Sequence, residues 1–235
     1  MKKLLTFLII LLLIFTSETT FSQTKIPVKL GLKIAPNVGW MNPGTKGYSS
    51  DGARFGGTIG LIADFYFSEN YAFSTGLNFQ YINGSLNYND SLQVAEGSKY
   101  VMKYGAITSL YKILYLEIPL TVKMSTKVFG KMSYFGQIGF GTGFRLNANK
   151  KDDFQPVAGE PQELNYEYNG GTTLIRESLL IGLGTEYHID QTSRVLIGLS
   201  FSGSLNNVLT GTNYSTNETI KSHLNYVELN IGFIF

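Results

Sequence analysis

The feature that most constrains this fold is the strict alternation of residues 226–235, which read YVELNIGFIF. Every second residue is bulky and apolar, and the residues between are mostly small or polar. A period of two is typical of a half-buried β-strand. The apolar face of this strand must be covered either by the protein's own core or by lipid, and the rest of the sequence discriminates between the two.

Seven earlier segments alternate in the same way: residues 28–40, 58–67, 71–81, 110–124, 132–146, 179–187 and 195–201. Short turns are predicted at 68–70, 125–130 and 190–193. Long polar loops are predicted near 42–54, 87–105, 147–172 and 210–221. Strict alternation of short and long connections predicts an all-β, eight-stranded antiparallel up-and-down transmembrane β-barrel, with short periplasmic turns and long extracellular loops.

The composition of the two strand faces favours lipid over water outside the barrel. A soluble lipocalin-like barrel carries its apolar face inward and its charge outside. Here the non-apolar face is mostly Gly, Ser, Thr, Asn and Gln, and charged residues make up only 15% of the chain. Aromatic residues flank the apolar runs as interfacial girdles would; they are Phe67, Tyr71, Tyr187 and Phe235 beside the short turns, and Trp40 and Tyr81 toward the long loops.

Residues 1–22 have the pattern of a cleavable secretory signal peptide. Lys2 and Lys3 precede an apolar run over residues 4–15, and a short polar stretch follows. The run is shorter than the roughly 20 residues of a spanning helix, so a signal-anchor is the less favoured alternative. Residues 23–235 are then predicted to form one barrel domain in the outer membrane of a Gram-negative cell.

The leader and three further stretches resemble the PorT-type outer-membrane β-barrel family of Bacteroidetes. The stretches are KLGLKIAPNVG at 29–39, YLEIPLTVKM at 115–124, and the terminal aromatic strand. The resemblance implies that Phe233 and Phe235 form the signal read by the barrel-assembly machinery. The family's named member is implicated in secretion of surface proteins, a role that attaches to no residue here. Pro119, inside a predicted strand, should mark a bulge or an edge-like step.

Alternation also predicts which charged side chains point into the lumen: Lys29, Lys33, Asp64, Glu117, Lys123, Arg145, Glu186 and Glu228. The favoured interpretation is a structural network of ion pairs, because buried charges need partners. A gated narrow pore or a proton-linked path is the alternative. An eight-stranded interior is just wide enough for side chains, so an open porin channel is disfavoured.

The sequence offers little for catalysis or metal binding, so no enzyme activity, cofactor or metal site is predicted. The two histidines are His188, near a short turn, and His223, which could meet Asp51, Asp90 or Glu218. No nucleophile, base and orienting group can be assembled from these residues. The acidic stretch over 152–167 could hold surface Ca²⁺ through oxygen ligands, but a solvated loop is the favoured interpretation.

The net charge of +2 is scattered and does not suggest a nucleic-acid partner. The expected partners are outer-membrane lipid and lipopolysaccharide, the assembly machinery during insertion, and proteins bound through the extracellular loops. The main functional hypothesis is a non-enzymatic structural or interaction barrel, an accessory to protein secretion or surface assembly. The alternatives are a small porin-like transport pore and a lipid-modifying outer-membrane enzyme.

Overall fold

The computed structural model describes residues 27–96 and 99–235, so the predicted signal peptide lies outside the described residues. Nine strands are present: β1 (Val28–Pro43), β2 (Ser49–Ser68), β3 (Tyr71–Glu96), β4 (Lys99–Ser125), β5 (Met132–Pro156), β6 (Gln162–Glu167), β7 (Ile175–His188), β8 (Arg194–Ser204) and β9 (Ser222–Ile234). A single 3₁₀ turn occurs at Asn169–Gly171. None of the helical structure in the described ranges is long and apolar enough to cross a membrane.

Eight of these strands close into a ring of antiparallel neighbours in the order β1, β2, β3, β4, β5, β7, β8, β9. β9 returns to pair with β1, so the first and last strands seal the barrel. The predicted eight-stranded up-and-down barrel is therefore confirmed. Closure satisfies the backbone hydrogen bonds that an open sheet edge would expose to hydrocarbon.

The long connections are corrected by the structure, because three predicted loops are largely strand. Most of predicted loop 42–54 belongs to the end of β1 and the start of β2. Residues 87–96 form the end of β3, and residues 99–105 form the start of β4. The two segments pair with each other from Asn87–Thr108 to Glu96–Lys99. Residues 147–172 contain the end of β5 and the additional strand β6, which pairs with β5 outside the ring. The polar composition of these segments suggested loops. They form strands instead because their backbones pair across neighbouring strands and inward side chains such as Leu86 and Ile107 pack in the core.

A β-bulge at Leu146 reverses the alternation of β5. Leu114 of β4 faces Asn147, whereas Tyr115 faces Arg145, so Leu146 is an extra residue on β5. Before the bulge odd-numbered residues point inward, and after it even-numbered residues do. The bulge therefore turns Lys150 and Asp152 into the barrel.

Pro119 interrupts pairing on one side of β4 without producing a bulge. β4 pairs with β5 through Pro119 in unbroken register. On the β3 side the ladder stops after Leu120 and resumes at Glu117 in the same register. Thr75 Oγ1 donates to the Pro119 carbonyl at 2.7 Å. Of the two disturbances expected at Pro119, the bulge is wrong, and the missing rungs on one side correspond to the edge-like step.

The outward face of the ring is an apolar band. Leu32, Ile59, Leu120, Leu183 and Ile197 are each at least half exposed, although all are large and apolar. On β3 the band runs from Tyr71 to Tyr81, about 33 Å along the strand, or about 25 Å along the barrel axis at a tilt of about 40°. That height matches the hydrocarbon layer of an outer membrane.

The short turns lie at one end of the band. In the turn between β7 and β8, the Asp190 carboxylate accepts hydrogen bonds from the backbone N–H groups of Ser193 (2.7 Å) and Thr192 (2.8 Å). These bonds hold the pKa of Asp190 at about 2. Beside the turns, the rings of Phe67 and Phe73 lie 4.8 Å apart between centroids, as expected for an aromatic girdle.

Candidate functional site

The lumen near the short turns contains a tightly paired charged cluster. Lys123 Nζ donates to Asp64 Oδ2 at 2.7 Å and to Glu186 Oε1 at 2.5 Å. The Arg194 guanidinium forms a second ion pair with Glu186. All four side chains are almost fully buried, and they come from β2, β4, β7 and β8. The cluster joins opposite walls of the barrel.

A second cluster lies farther along the lumen around Glu228 on β9. Its carboxylate accepts hydrogen bonds from Lys33 Nζ, Thr58 Oγ1 and Ser200 Oγ, each at 3.1 Å. Lys33 also donates to Asn230 Oδ1 at 3.2 Å. A carboxylate with three donors is a well-satisfied buried charge.

The third cluster joins Glu117 and Arg176 across the middle of the barrel. Arg176 Nη1 lies 3.6 Å from Glu117 Oε2, and the guanidinium carbon lies 5.2 Å from the ring centroid of Tyr226. Gln80 Nε2 donates both to Glu117 Oε1 at 2.9 Å and to Tyr226 Oη at 2.7 Å. Together, the three clusters place paired charges in the lumen from the short-turn end of the apolar band to the middle of the band.

Two of the predicted lumen residues lie outside these clusters. Lys29 Nζ lies 5.9 Å from the ring centroid of Tyr66, at the short-turn end. Arg145 lies toward the other end, where its guanidinium binds the carbonyl oxygens of Asn169 and Thr172. Arg145 therefore anchors the chain around the 3₁₀ turn.

Sequence reasoning missed three lumen cations: Lys150, which the bulge turns inward, and the pair Arg176 and Arg194. Both precede the predicted starts of their strands, although each has the same parity as the inward residues that follow it. Extending the alternation of β7 back to Arg176 and of β8 back to Arg194 would have placed both inside. They supply the cations that pair with Glu117 and Glu186.

A small cavity lies between the charged clusters. Its volume is about 70 Å³, and its lining includes Lys33, Asn78, Glu117, Thr121 and Gln137. A buried water needs roughly 10–15 Å³ of such volume, so the cavity has room for a few waters. Buried Glu117 Oε2 and Asn78 Oδ1, which accept no hydrogen bond from the chain, are natural partners for such waters.

Toward the long hairpins the lumen becomes an apolar core. Its buried members include Met41, Ile82, Leu86, Ile107, Ile113, Phe154, Val208, Leu209, Ile220 and Leu224. Val208, Leu209 and Ile220 belong to the cap loop, which we define as residues 205–221 between β8 and β9. The cap loop folds back over the barrel mouth, so packed side chains occupy the outer half of the lumen.

Polar contacts fasten the cap loop to the hairpin of β3 and β4. The Asp90 carboxylate accepts hydrogen bonds from the backbone N–H groups of Tyr214 (3.1 Å) and Ser215 (2.9 Å). Asn213 Nδ2 donates to Tyr48 Oη at 2.9 Å, and the ring of Tyr48 stacks on Tyr88 with centroids 4.4 Å apart. Burial raises the pKa of the Tyr48 phenol to about 12, so it stays neutral across the physiological range.

Lys150, turned inward by the bulge, is held in a cage of four tyrosine rings. Its Nζ lies 4.9–5.7 Å from the centroids of Tyr88, Tyr111, Tyr166 and Tyr168. It also forms an ion pair with Asp152 at 3.0 Å. Cation–π attraction and a carboxylate together stabilise the buried ammonium. The cage joins β3, β4, β5 and β6 beneath the cap loop.

The two histidines are not brought to the acids that could orient them. His223 Nδ1 lies 3.0 Å from the Ser204 carbonyl, while Asp90 binds the cap loop. His188 Nε2 lies 2.9 Å from Ser133 Oγ at the short-turn rim. Within the described ranges, no group of three His, Cys, Asp or Glu side chains is arranged to hold a metal. Asp152 and Asp153 point to opposite faces, so the acidic stretch does not converge.

The terminal aromatic residues lie on the outward face at the short-turn end. The rings of Phe233 and Phe235 are 6.4 Å apart between centroids, and both are exposed. The backbone N–H of Phe235 donates to the Leu30 carbonyl, so the terminus is part of the barrel wall. Their role as an assembly signal stays a prediction.

Comparison with known proteins agrees with this architecture. The family described as "Outer membrane protein beta-barrel domain" matches residues 21–210. The chain belongs to this family. The family and the barrel indicate an outer-membrane location. That the short turns face the periplasm and the long hairpins face outward stays a prediction. Membership of the narrower PorT-type group stays a prediction.

Three solved structures with a similar fold are remote in sequence. Neisserial surface protein A is 11% identical with a TM-score of 0.49, over 88% of this chain and 95% of that one. Ail, the attachment invasion locus protein of Yersinia pestis, is 13% identical with a TM-score of 0.38, over 88% and 99%. OprG from Pseudomonas aeruginosa is 12% identical with a TM-score of 0.36, over 88% and 95%. No curated protein matches. Similarity at this level carries no argument about function.

Proposed function

We propose that this protein is a closed, non-conducting and non-enzymatic barrel of the outer membrane, which acts through the chain outside the apolar band. The observation that carries the proposal is the apolar core in the outer half of the lumen. Passage of an ion would require Val208, Leu209 and Ile220 to leave their packed positions. Burying them again is worth roughly 1.5–3 kcal/mol per side chain, which favours the closed state.

The part of the chain above the band supplies surfaces for partners. Tyr100, Met102 and Tyr104 alternate along the outward face of β4 and are all more than half exposed. Exposed apolar and aromatic groups of this kind are typical of interaction sites. The narrower hypothesis, an accessory role in protein secretion or surface assembly, rests on the PorT-type resemblance of residues 29–39 and 115–124.

Planar-bilayer recording of the purified protein tests closure. We expect no channel steps from the wild type at moderate voltages. Discrete, reproducible conductance by the wild type would overturn the closed-barrel proposal.

Deletion of the gene tests the narrower role. We expect secreted and surface proteins to fall together, with precursors held in the periplasm. Restoring the wild-type gene should reverse the loss. An unchanged surface proteome would exclude the secretion role but leave a barrel that acts through other surface partners.

A further inference from the structure

A depression of about 420 Å³ lies on the outward face of the sheet above the apolar band. Its floor is formed by two cross-strand rows of short side chains from β3, β4 and β5, Asn87–Thr108–Asp153 and Asn89–Ala106–Gln155. Gly47 and Ser49, at the connection from β1 to β2, close one side. The small side chain of Ala106 leaves space at the centre, and the volume falls within the roughly 300–1,000 Å³ of small-molecule sites.

The side chains around this depression have unused hydrogen-bonding capacity. The side-chain polar atoms of Ser49, Asn89, Thr108 and Gln155 make no hydrogen bond to the rest of the described chain. Asn87 uses its Nδ2 to donate to Asp51 at 3.1 Å. Amides and hydroxyls both donate and accept, so they match the vicinal hydroxyls of a sugar, which do the same.

The charge of the depression disfavours ionic ligands. Asp153 is its one charged side chain, and Lys151 on the neighbouring surface lies 2.9 Å from Glu163 and 3.9 Å from Asp153. No lysine or arginine lines the depression to bind a phosphate or sulfate. Calcium affinity rises with the number of charged oxygen ligands, and the depression offers a single carboxylate, which disfavours a calcium site. The mostly neutral, hydrogen-bonding lining therefore favours a neutral polyhydroxylated ligand over an anion or a metal ion.

The height of the depression above the membrane follows from its position on β4. Lys112 is the first charged residue on the outward face of β4 beyond the band, and Thr108 and Ala106 lie four and six residues farther. That is about 13–20 Å along the strand, or about 10–15 Å along the membrane normal at a tilt of about 40°. Polar headgroups add only about 5–8 Å to each leaflet. The depression therefore lies above the headgroups.

We propose that this depression binds a neutral oligosaccharide. The amide, hydroxyl and carboxylate groups would bind the sugar hydroxyls. The exposed ring of Tyr104, about 7 Å along the same face of β4, is placed to pack on a C–H face of an adjacent sugar unit. The glycan is either the saccharide of lipopolysaccharide in the same membrane or a glycan outside the cell. The inference rests on the proposed outward orientation of the long hairpins.

The test uses a variant that fills the depression and a matched variant that does not. Ala106→Trp places an indole at the centre of the floor. Gln93→Trp places the same group on the outward face of β3, four residues beyond Asn89 and outside the depression. Both purified barrels and the wild type are applied to an array of neutral oligosaccharides and to saccharide released by mild acid from the bacterium's own lipopolysaccharide. Heat-dependent gel mobility confirms that each variant is folded.

We expect wild type and Gln93→Trp to bind at least one saccharide equally, and Ala106→Trp to bind it at least tenfold more weakly. Asn89→Ala together with Gln155→Ala should give a similar loss without added bulk. If the lipopolysaccharide saccharide competes with the array glycan for the barrel, the ligand is a saccharide of the same membrane. If a glycan on the array binds and the lipopolysaccharide saccharide does not compete, the ligand is a glycan outside the cell. No binding to either probe, or equal binding by Ala106→Trp, overturns the proposal. If the wild type conducted ions in planar bilayers, the closed-barrel function would be contradicted, but the saccharide-binding result would still stand.

Discussion

Replacement of Lys123 by methionine is the sharpest test of the lumen network. Lys123 Nζ forms ion pairs with Asp64 Oδ2 at 2.7 Å and with Glu186 Oε1 at 2.5 Å. All three side chains are at most 2% exposed. Arg194 remains beside Glu186 in the variant, but Asp64 loses the ion pair that neutralises it. Breaking a buried pair by removing one partner costs about 3–5 kcal/mol.

The assay is reversible urea unfolding in lipid vesicles, followed by the fluorescence of the single tryptophan, Trp40, on the outward side of β1. With an m-value of about 2 kcal/mol per molar urea, Lys123→Met should lower the midpoint by about 1.5–2.5 M. Lys123→Met combined with Asp64→Leu should recover much of the loss, since the stranded carboxylate is then absent.

Lys112→Met is the matched control because Lys112 lies on the same strand but on the outward face. Its effect should stay within about 0.5 kcal/mol, as for most surface substitutions. If Lys123→Met and Lys112→Met shifted the midpoint equally, the view that Lys123 neutralises a buried carboxylate would be refuted.

Four further predictions concern other parts of the chain. The Asp190 carboxyl should titrate near pH 2 when followed by NMR. The hydrogen bonds of this turn then contribute their full stability above about pH 4 and lose it as the pH falls through 2. A titration midpoint near 3.8 would contradict the turn geometry. The Tyr48 phenol should ionise near pH 12, measured by ultraviolet difference absorbance against Tyr48→Phe. Its contribution to folding stability is then full below about pH 10 and is lost as the pH rises through 12. Ionisation near pH 10 would mean that the phenol is not buried. Lys150→Met should lower unfolding stability by about 3 kcal/mol or more in the same urea assay, because Asp152 stays buried without its cation, and an unchanged midpoint would contradict the cage. Phe235→Ala should reduce the amount of folded barrel in the outer membrane on gels of unboiled membranes, whereas normal levels would exclude a role for Phe235 in assembly.

The paired lumen and the apolar core have different physical roles in the proposed barrel. In the half near the periplasm, charged groups satisfy one another across the barrel, as between Lys33 and Glu228. In the outer half, apolar side chains such as Leu209 pack against the strands. The first arrangement joins opposite walls through directed contacts, and the second excludes water from the mouth.

Strand identity and face could be predicted because both depend on local properties. The alternation around Phe79 or Leu120 follows from the pleat of a strand, and lipid on one side makes the apolar period persistent. The same parity placed Lys123, Asp64 and Glu186 on the inner face before their distances were known. Arg176 and Arg194 were missed because the predicted strands began too late.

The sequence by itself determined that the chain forms eight strands, each long enough to cross the membrane. In each strand apolar and small or polar residues alternate, and few charged residues lie on the polar face. Only the tertiary structure decided which charges meet, where the bulge at Leu146 turns Lys150 inward, and how residues 205–221 close the mouth. The reason is that parity is a property of each strand alone. Ion-pair partners, register and loop packing depend on which strands lie opposite one another across the lumen.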